Sequence, residues 1–363
     1  MAYKISGTLS ESARILVLKE SDWSIESNVE KSAGSYEVDS LVNGTKTILA
    51  INNSGKAKGY GNVLPEEYAS GAGDRGIFAG GYTGGYQNTI GYITISSPSN
   101  TTEFGALTEA KSAVGATSNG ANDRGIFGGG GSSSQVIEYI TISSLGNATY
   151  FGDLTIDRDN LAATSNGTKD RGVFGGGVDS GFNNVNIIDY VTISTTGNAT
   201  DFGDLNLVRY DPGATSNGIN DRGVFAGDFS DNSIEYITIS SLGNATDFGD
   251  LTVSREDLAD ATSNGTNNRG VFGGGYNGAY SNIIDYITIS SLGNATDFGD
   301  LTEARYSISA TSNGTNNRGV FGGGYYYSNV IDYITISSLG NAVEFGALYT
   351  TARDVGATSN SLL

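Results

Sequence analysis

The stretch RGVFGGGYNGAYSNIIDYITISSLGNATDFGDL, at residues 269–301, is one copy of a repeat that decides the fold of this 363-residue chain. The copies begin with Arg-Gly-(Ile/Val)-Phe and start 47 to 51 residues apart, at Arg75, Arg124, Arg171, Arg222, Arg269 and Arg318. A period near fifty residues is typical of arrays of small sheets, in which each sheet needs its neighbours to cover it.

Three further landmarks follow in the same order in every copy. The first is a Tyr in a strand-like run, at Tyr92, Tyr139, Tyr190, Tyr236, Tyr286 and Tyr333. The second is Phe-Gly-(Asp/Ala)-Leu, from Phe104, Phe151, Phe202, Phe248, Phe298 and Phe345. The third is a basic residue, at Lys111, Arg158, Arg209, Arg255, Arg305 and Arg353.

Each repeat predicts four strands, which we term A to D. Strand A reads Ala-Thr-Ser-Asn, B reads Arg-Gly-Val-Phe-Gly-Gly, C reads Asp-Tyr-Ile-Thr-Ile-Ser and D reads Ala-Thr-Asp-Phe-Gly-Asp-Leu. Strand C at residues 284–289 places Ile and Tyr on both faces, which is typical of a sheet buried between two others. Since no helical segment is available to cover the sheets, we expect them to pack radially, as in a β-propeller.

The two ends of the array predict that the ring closes. The A strands start at Ala116, Ala163, Ala214, Ala261, Ala310 and Ala357. The first B strand, at Arg75, has no A strand before it, and the last A strand has no B strand after it. We therefore predict an all-β fold in which residues 72–363 form a six-bladed propeller closed by the C-terminal strand.

Residues 1–64 lie outside the periodicity and predict a small antiparallel β-sandwich. Ser, Gly and Asn turns separate strand-like runs at residues 3–9, 13–18, 35–41, 46–51 and 58–63. Trp23, the single Trp of the chain, is expected to anchor its core. Residues 65–71, which begin with Pro65, are interpreted as a linker.

The repeat resembles kelch, and the resemblance covers most of the chain. The Tyr of strand C, the aromatic residue of strand D and the basic residue before strand A fall in the kelch order. So do glycine pairs after strand B, at Gly80-Gly81, Gly128-Gly129, Gly175-Gly176, Gly273-Gly274 and Gly322-Gly323. Phe replaces the usual Trp, and Ala226-Gly227 replaces the pair in the fourth copy. A WD-type propeller fits less well, because its period is shorter and its Gly-His and Trp-Asp signatures are missing.

Two resemblances concern the N-terminal region. The stretch GSYEVDSLVNGTKTILAINNSGKAKGY, at residues 34–60, resembles sandwich domains related to carboxypeptidase regulatory modules. The opening MAYKISGTL, with ARILVLKESDWS, resembles the N-terminal modules of bacteriophage tail-fibre and other virion proteins. This second resemblance implies that residues 1–64 dock on a phage particle through other virion proteins. The expected location is the virion, after synthesis in the host cytoplasm.

Composition argues against several function classes. The 39 acidic and 20 basic residues give a net charge of −19, which disfavours nucleic acid as a partner. The chain has no Cys and no His, so thiolate chemistry and the commonest general base and metal ligand are missing. The N-terminus has no signal-peptide layout, and no run reaches the length of a membrane-spanning helix. We expect no cofactor and no membrane insertion.

Loop lengths predict that one side of the propeller is uniform and that the opposite side is variable. The turns A–B and C–D keep a constant length, whereas the Phe of strand B and the Tyr of strand C are 11 to 16 residues apart. One further insertion lies between strands D and A of the fourth repeat. In an antiparallel meander the B–C and D–A loops project from one edge, which we term the variable rim. A variable rim is suited to recognising a partner.

The loops of the variable rim are rich in Tyr, Ser, Gly and Asn, which is typical of recognition loops. Aromatic faces also suit sugar rings, while Asn, Asp and Ser bond the hydroxyls. The alternative is that the loops are merely tolerant turns. The predicted ligand-binding residues are Tyr82, Tyr86, Phe182, Tyr210, Phe229, Tyr276, Tyr280, Tyr306, Tyr325, Tyr326 and Tyr327.

No catalytic or metal site is predicted. The Arg of strand B recurs in every copy, so we expect it to brace the structure. Asp153, Asp204, Asp250 and Asp300 could offer oxygen ligands to Ca²⁺, but the spacing of known calcium loops is missing. Copper-oxidase chemistry of kelch-like propellers needs His, and the Asp-box of sialidases is not found. A pair of glycosidase carboxylates stays open, although nothing singles one out.

The sequence therefore favours a non-enzymatic bacteriophage tail-fibre or adhesin protein whose propeller binds a host-surface glycan or receptor. The first alternative is a structural or decoration protein of the virion, in which the propeller mediates subunit contacts. The others are a glycan-active enzyme and a cellular kelch-type scaffold. The sequence is also compatible with a homo-oligomer.

Overall fold

The structure is a computed structural model that divides into two compact units, Met1–Ala72 and Gly73–Leu363. In the first unit it describes the backbone of seven strands. In the second it describes residues 74–118, 123–131, 133–165, 169–216, 220–228, 230–258, 261–263, 268–312, 317–326 and 328–359. These described residues form strands and turns, and none of them belongs to a helix long and apolar enough to cross a membrane.

The N-terminal unit contains two antiparallel sheets, in the orders β4-β1-β7 and β3-β2-β5-β6. Its strands are β1 (Tyr3–Leu9), β2 (Ala13–Lys19), β3 (Ser24–Lys31), β4 (Gly34–Leu41), β5 (Lys46–Asn52), β6 (Ala57–Val63) and β7 (Glu66–Glu67). The sequence analysis did not predict β3, whose polar residues give little hydrophobic signal. Strand β7 falls within the predicted linker and pairs with β1 through Tyr3 and Glu67. Trp23 lies outside the described residues.

The second unit confirms the predicted six-bladed β-propeller. Each blade is an antiparallel sheet in the order A-B-C-D. Blade 1 consists of β31 (Gly356–Ser359), β8 (Arg75–Ala79), β9 (Thr89–Thr94) and β10 (Thr102–Ala106). Blade 2 consists of β11 (Gly115–Thr117), β12 (Arg124–Gly128), β13 (Ser134–Thr141) and β14 (Thr149–Asp159). Blade 3 consists of β15 (Ala162–Thr164), β16 (Arg171–Gly175), β18 (Ile187–Thr192) and β19 (Thr200–Asp204), and its B–C loop adds β17 (Val178–Asp179) to the edge of blade 2.

The remaining three blades follow the same plan. Blade 4 consists of β20 (Gly213–Thr215), β21 (Arg222–Ala226), β22 (Ser233–Thr238) and β23 (Thr246–Asp250). Blade 5 consists of β24 (Arg269–Gly273), β25 (Ile283–Thr288) and β26 (Thr296–Asp300), and its A strand is reduced to one bridge between Thr262 and Val271. Blade 6 consists of β27 (Ser309–Ser312), β28 (Arg318–Gly322), β29 (Val330–Thr335) and β30 (Val343–Ala347).

The C-terminal strand closes the ring, as predicted. Strand β31 pairs with β8, so that Ala357 lies opposite Phe78 and Thr358 lies opposite Ile77. The A strands of neighbouring blades lie side by side and line the axis. Their residues are small because space near the axis is limited: a Cβ on Gly356 would lie 2.5 Å from the side chain of Val114.

Neighbouring blades pack through the strand-B Phe. Phe321 of blade 6 is fully buried against Ile284, Phe298 and Leu301 of blade 5. A Cβ on Gly273 would lie 2.8 Å from its ring, so glycine is what allows this approach. Hydrophobic clusters of this kind fill the spaces between blades. The sheets are therefore buried on both faces, as strand C indicated.

The repeated Arg of strand B has a structural role. Each guanidinium lies 4.7 to 4.9 Å from the ring centroid of the strand-C Tyr in its own blade. Each Nη1 also donates a hydrogen bond of 2.6 to 2.9 Å to an Ile carbonyl of the next blade. The bond from Arg318 to Ile95 joins the last blade to the first. These arginines therefore brace the ring instead of facing a ligand.

The glycine pair of the repeat lies one residue later than the sequence analysis placed it in four of the copies. The left-handed pairs are Gly80-Gly81, Gly129-Gly130, Gly176-Gly177, Gly274-Gly275 and Gly323-Gly324. In blade 4 the equivalent residues are Gly227 and Asp228. The preceding glycine, such as Gly128, ends strand B and is needed because the Phe174 ring approaches it closely.

Candidate functional site

The D–A loops meet around the axis on the variable rim. One residue of each loop has a left-handed φ of 44° to 56°, at Ala113, Asn160, Asp211, Asp257, Ser307 and Asp354. Backbone hydrogen bonds join five of the six neighbouring pairs of these residues, and Asp211 and Asp257 are joined by a side-chain hydrogen bond. For example, the N–H of Ala113 donates to the carbonyl of Asp354 at 2.7 Å, and that of Asp354 donates to the carbonyl of Ser307 at 3.1 Å. These bonds hold the six loops in a ring around the axis.

A buried ion pair anchors the D–A loop in five of the six blades. The pairs join atoms 2.5 to 2.7 Å apart, in Lys111–Glu138, Arg158–Asp189, Arg209–Glu235, Arg255–Asp285 and Arg305–Asp332. In each pair the acid precedes the strand-C Tyr. Arginine also donates to carbonyls of its blade, as Arg305 does to Gly323 and Val330. The basic residues of these five repeats are therefore internal supports.

Arg353 does not belong to this set, which corrects the sequence analysis. It follows Phe345 by 8 residues, whereas the other five basic residues follow their Phe by 7. The anchor position in blade 1 is occupied by the buried Ala352, and the position of the acid is occupied by Gly91. Arg353 is thereby moved one position along the loop, onto the variable rim.

The residue just before the left-handed position varies between the blades, and only Tyr occurs twice. The six residues are Ser112, Asp159, Tyr210, Glu256, Tyr306 and Arg353. Backbone bonds join several of them to the following B–C loop: Tyr82 pairs with Arg353, Tyr276 pairs with Glu256, and Tyr325 donates to Tyr306. The sequence thus varies where two loops of neighbouring blades meet at the mouth of the axis.

An open cavity of about 510 Å³ lies at this mouth. This volume falls within the usual range of small-molecule sites. Its wall contains Asp159, Asp257, Asp354, Arg353 and Tyr210, together with tyrosines of the neighbouring loops. We term it the axial cavity.

Five predicted tyrosines form one cluster beside the axial cavity. This tyrosine cluster comprises Tyr276, Tyr280, Tyr306, Tyr325 and Tyr326, from two B–C loops and the D–A loop between them. The rings of Tyr306 and Tyr325 are stacked, with centroids 4.6 Å apart. Tyr280 contacts the other four rings at 5.1 to 6.2 Å. Tyr326 is 73% exposed, so part of the cluster faces solvent.

Arg353 extends this aromatic surface to blade 1. Its guanidinium lies 5.0 Å from the ring centroid of Tyr325 and 5.1 Å from that of Tyr82. Tyr82 in turn meets Tyr86 edge to face at 5.7 Å. Cation–π contacts of this kind are worth about 0.5–1 kcal/mol at exposed sites. A continuous surface of aromatic rings and one guanidinium therefore spans blades 5, 6 and 1.

The carboxyl groups near the axis repel one another. Burial raises the pKa of Asp257 to about 7, and the negative charges of Glu256 and Asp354 act in the same direction, whereas a hydrogen bond with Asp211 opposes them. Burial also raises the pKa values of Asp354 and Asp159. Burial and the surrounding carboxylates raise the pKa of the Tyr210 hydroxyl. Arg353 lies 3.5 Å from Asp354 and compensates only part of this charge.

The other predicted ligand-binding residues have different surroundings. Tyr210 lines the axial cavity but belongs to none of the ring contacts found among the described residues. Phe182, at the tip of the blade 3 loop, is 92% exposed and is not part of the cluster. Phe229 and Tyr327 lie outside the described residues. The structure thus brings together seven of the eleven predicted residues on one side of the rim.

The sequence analysis missed Asp159, Asp257, Arg353 and Asp354. Loop length was its criterion, and most D–A loops do not vary in length. The available signal was the contrast between adjacent positions, because an almost invariant basic residue is followed by a residue that is different in nearly every copy.

Within the described parts of the chain, no group of three or more His, Cys, Asp or Glu is arranged to hold a metal ion. Asp153, one of the residues considered for Ca²⁺, instead accepts a hydrogen bond from the Tyr150 hydroxyl at 2.8 Å.

Comparison of the chain with the models of known protein families gave no match, and comparison with curated proteins gave none either.

Proposed function

We propose that this protein is a non-enzymatic virion attachment protein whose propeller binds a host-surface glycan or receptor through the variable rim. The observation that carries the proposal is the tyrosine cluster beside the axial cavity. Tyrosine rings from separate blades form one surface there, next to carboxyl groups and Arg353. Aromatic faces stack on the apolar faces of sugar rings, and the polar groups can bond hydroxyls.

One sequence resemblance supports the virion part of the proposal. The N-terminal segment resembles phage tail-fibre modules, and it forms a separate compact unit of two antiparallel sheets. The kelch-like identity of the repeat is proposed from its Tyr and Phe landmarks and from the left-handed glycine pair after strand B. In this proposal the N-terminal unit contacts other virion proteins. Many copies on a particle would convert weak single contacts into avidity.

Binding of the full chain to a glycan array and to host cells tests the proposal. We expect binding, and we expect Tyr280→Ala and Tyr326→Ala to reduce it, since each removes an exposed ring of the cluster. Phe182→Ala is the matched control, because it removes an exposed ring of the same rim outside the cluster. Loss of one stacked ring should weaken a single contact about 5- to 10-fold, as expected for an aromatic pair worth roughly 1 kcal/mol.

The same variants and assays distinguish two other roles from attachment. If no glycan or cell is bound and the cluster substitutions leave phage adsorption unchanged, a structural or decoration role in the virion replaces this proposal. Turnover of a polysaccharide by the purified chain would show instead that the protein is an enzyme.

A further inference from the structure

We propose that the axial cavity binds a non-acidic, hydroxyl-rich sugar unit, and that Arg353 is the residue that determines this specificity. The inference rests on the proposed function and names the class of ligand and the part of the rim that holds it. It is carried by three features: the hydrogen-bond donors of Arg353, the aromatic wall, and the charge of the cavity.

The donors of Arg353 are available to a ligand, unlike those of its internal counterparts. Arg305 uses Nη1 and Nη2 within its blade, on two carbonyls and on Asp332. Arg353 lines the axial cavity and is 30% exposed, and among the described residues its guanidinium donates no hydrogen bond, while its Nε lies 3.5 Å from Oδ2 of Asp354. The planar group is held between the rings of Tyr82 and Tyr325. It can therefore donate to sugar oxygens without first losing much side-chain freedom.

The wall of the axial cavity also supplies acceptors. Asp257 is buried and Asp354 is 15% exposed, both line the cavity, and a carboxylate can accept hydrogen bonds from two neighbouring hydroxyls. Tyr306 and Tyr325, whose rings stack on each other, line the same cavity. Donors, acceptors and an apolar face within about 510 Å³ match the chemistry of a sugar with adjacent hydroxyls.

The charge of the cavity selects against acidic sugars. Asp159, Asp257 and Asp354 line it, and Arg353 is the one cation among the described residues that line it. The whole chain carries a net charge of −19, so the surrounding field has the same sign. A carboxylate or phosphate on the ligand would therefore meet repulsion that an uncharged sugar does not, which is a repulsive element of specificity.

The test uses the full chain and a panel of neutral, amine-bearing, carboxylate-bearing and phosphate-bearing oligosaccharides. Binding is first screened on an array and then measured by calorimetry. We expect neutral and amine-bearing oligosaccharides to bind better than carboxylate- and phosphate-bearing ones. Arg353→Met keeps an apolar chain between the two tyrosines and removes the donors, so affinity should fall about 10- to 100-fold. Arg353→Lys should recover only part of it, because it restores the charge without the planar fork.

Asp257→Asn tests the role of the cavity charge. The quantity measured is the preference between sugar classes, which a purely structural role of Asp257 would leave unchanged. The substitution keeps the size of the side chain and removes a carboxyl group whose pKa is about 7, so at pH 8, where this group is charged, the preference for neutral over carboxylate-bearing sugars should decrease. Phe182→Ala is the control and should leave affinity and preference unchanged. Circular dichroism and the thermal midpoint establish that each variant is folded.

The possible results distinguish failure of this inference from failure of the proposed function. Preferential binding of acidic sugars, or unchanged affinity in folded Arg353→Met, overturns this inference and leaves the proposed attachment function standing. Absence of binding to every glycan class, together with cell adsorption that is lost in the Tyr280→Ala variant, indicates a protein receptor and overturns the sugar assignment. Absence of both glycan and cell binding overturns the proposed function, and the inference with it.

Discussion

Gly91 and Ala352 lie together in blade 1 at the two positions that hold a buried ion pair in each of the other five blades. Both residues line a cavity of about 30 Å³, roughly the space of a water molecule. The buried Oγ1 of Thr101, also in this wall, has no hydrogen-bond partner among the described residues. The blade assembled from the two ends of the propeller segment therefore lacks the anchor that the others share.

A sixth ion pair can be built at this place. Ala352→Arg alone should destabilise the protein by about 3–5 kcal/mol, because it buries an unpaired charge. Gly91→Asp alone should also destabilise, although its Cβ would make only an ordinary contact with Thr101, at 3.4 Å. The double variant should recover most of the loss. Urea denaturation of all four proteins measures the coupling, and strictly additive losses would show that the two side chains do not pair.

Closure by the C-terminal strand should dominate the stability of the propeller. A chain ending before Gly356 loses β31, which exposes the edge of β8 and the packing around Ile77 and Phe78. We expect a loss of at least about 3 kcal/mol, from several backbone hydrogen bonds and the buried side chains. A chain ending at Ser359 keeps the strand and is the control. Equal denaturation midpoints for the two chains would contradict closure as the stabilising feature.

Asp257 should make stability depend on pH. Its pKa is raised from 3.8 to about 7 in the folded protein, so the folded state favours the protonated form. This contribution is fully present below pH 4 and is lost as the pH rises through 7. Asp257→Asn should therefore be more stable than the wild type at pH 8, by on the order of 2 kcal/mol, and should lose this advantage near pH 4. Urea denaturation across this range measures the difference, and a constant difference would contradict the shift.

The glycine pair after strand B should be required for a steric reason as well as for its backbone conformation. Gly129 has a φ of 74°, and a Cβ there would lie 2.6 Å from the carbonyl oxygen of Arg158. Gly84 has a φ of 94° but has nothing within 4 Å of its Cβ position. Gly84→Ala should cost about 1 kcal/mol from the left-handed conformation alone. Gly129→Ala should cost at least about 2 kcal/mol more; similar losses in thermal denaturation would mean that the backbone absorbs the clash.

Much of the fold was predictable because the same strand and turn preferences recur in six copies of the repeat. The unpaired first B strand and last A strand indicated closure, and β31 does pair with β8. The register of the glycine pair was harder to read. In runs such as Gly128-Gly129-Gly130, three glycines satisfy different requirements, and only their φ values and contacts tell them apart.

The candidate site was predictable only in part. Variable length indicated the B–C loops, and the tyrosines of three of these loops do lie on one surface. The D–A residues were missed because the loops hold nearly constant length, and backbone bonds between neighbouring loops fix their shape whichever side chain is present. Arg353 was grouped with the internal basic residues because a shift of one position in a loop hardly alters the appearance of the repeat.

By itself the sequence determined the architecture. The repeat period, the strand pattern and the incomplete ends of the array predict six sheets. These sheets can bury their apolar faces only against one another. The tertiary structure decided which side chains lie together on one surface. Around a closed ring, residues more than two hundred positions apart, such as Tyr82 and Tyr325, come to lie on either side of one guanidinium. The physical reason is that local preferences act on each repeat separately, whereas the partners of a side chain at the axis are set by ring closure.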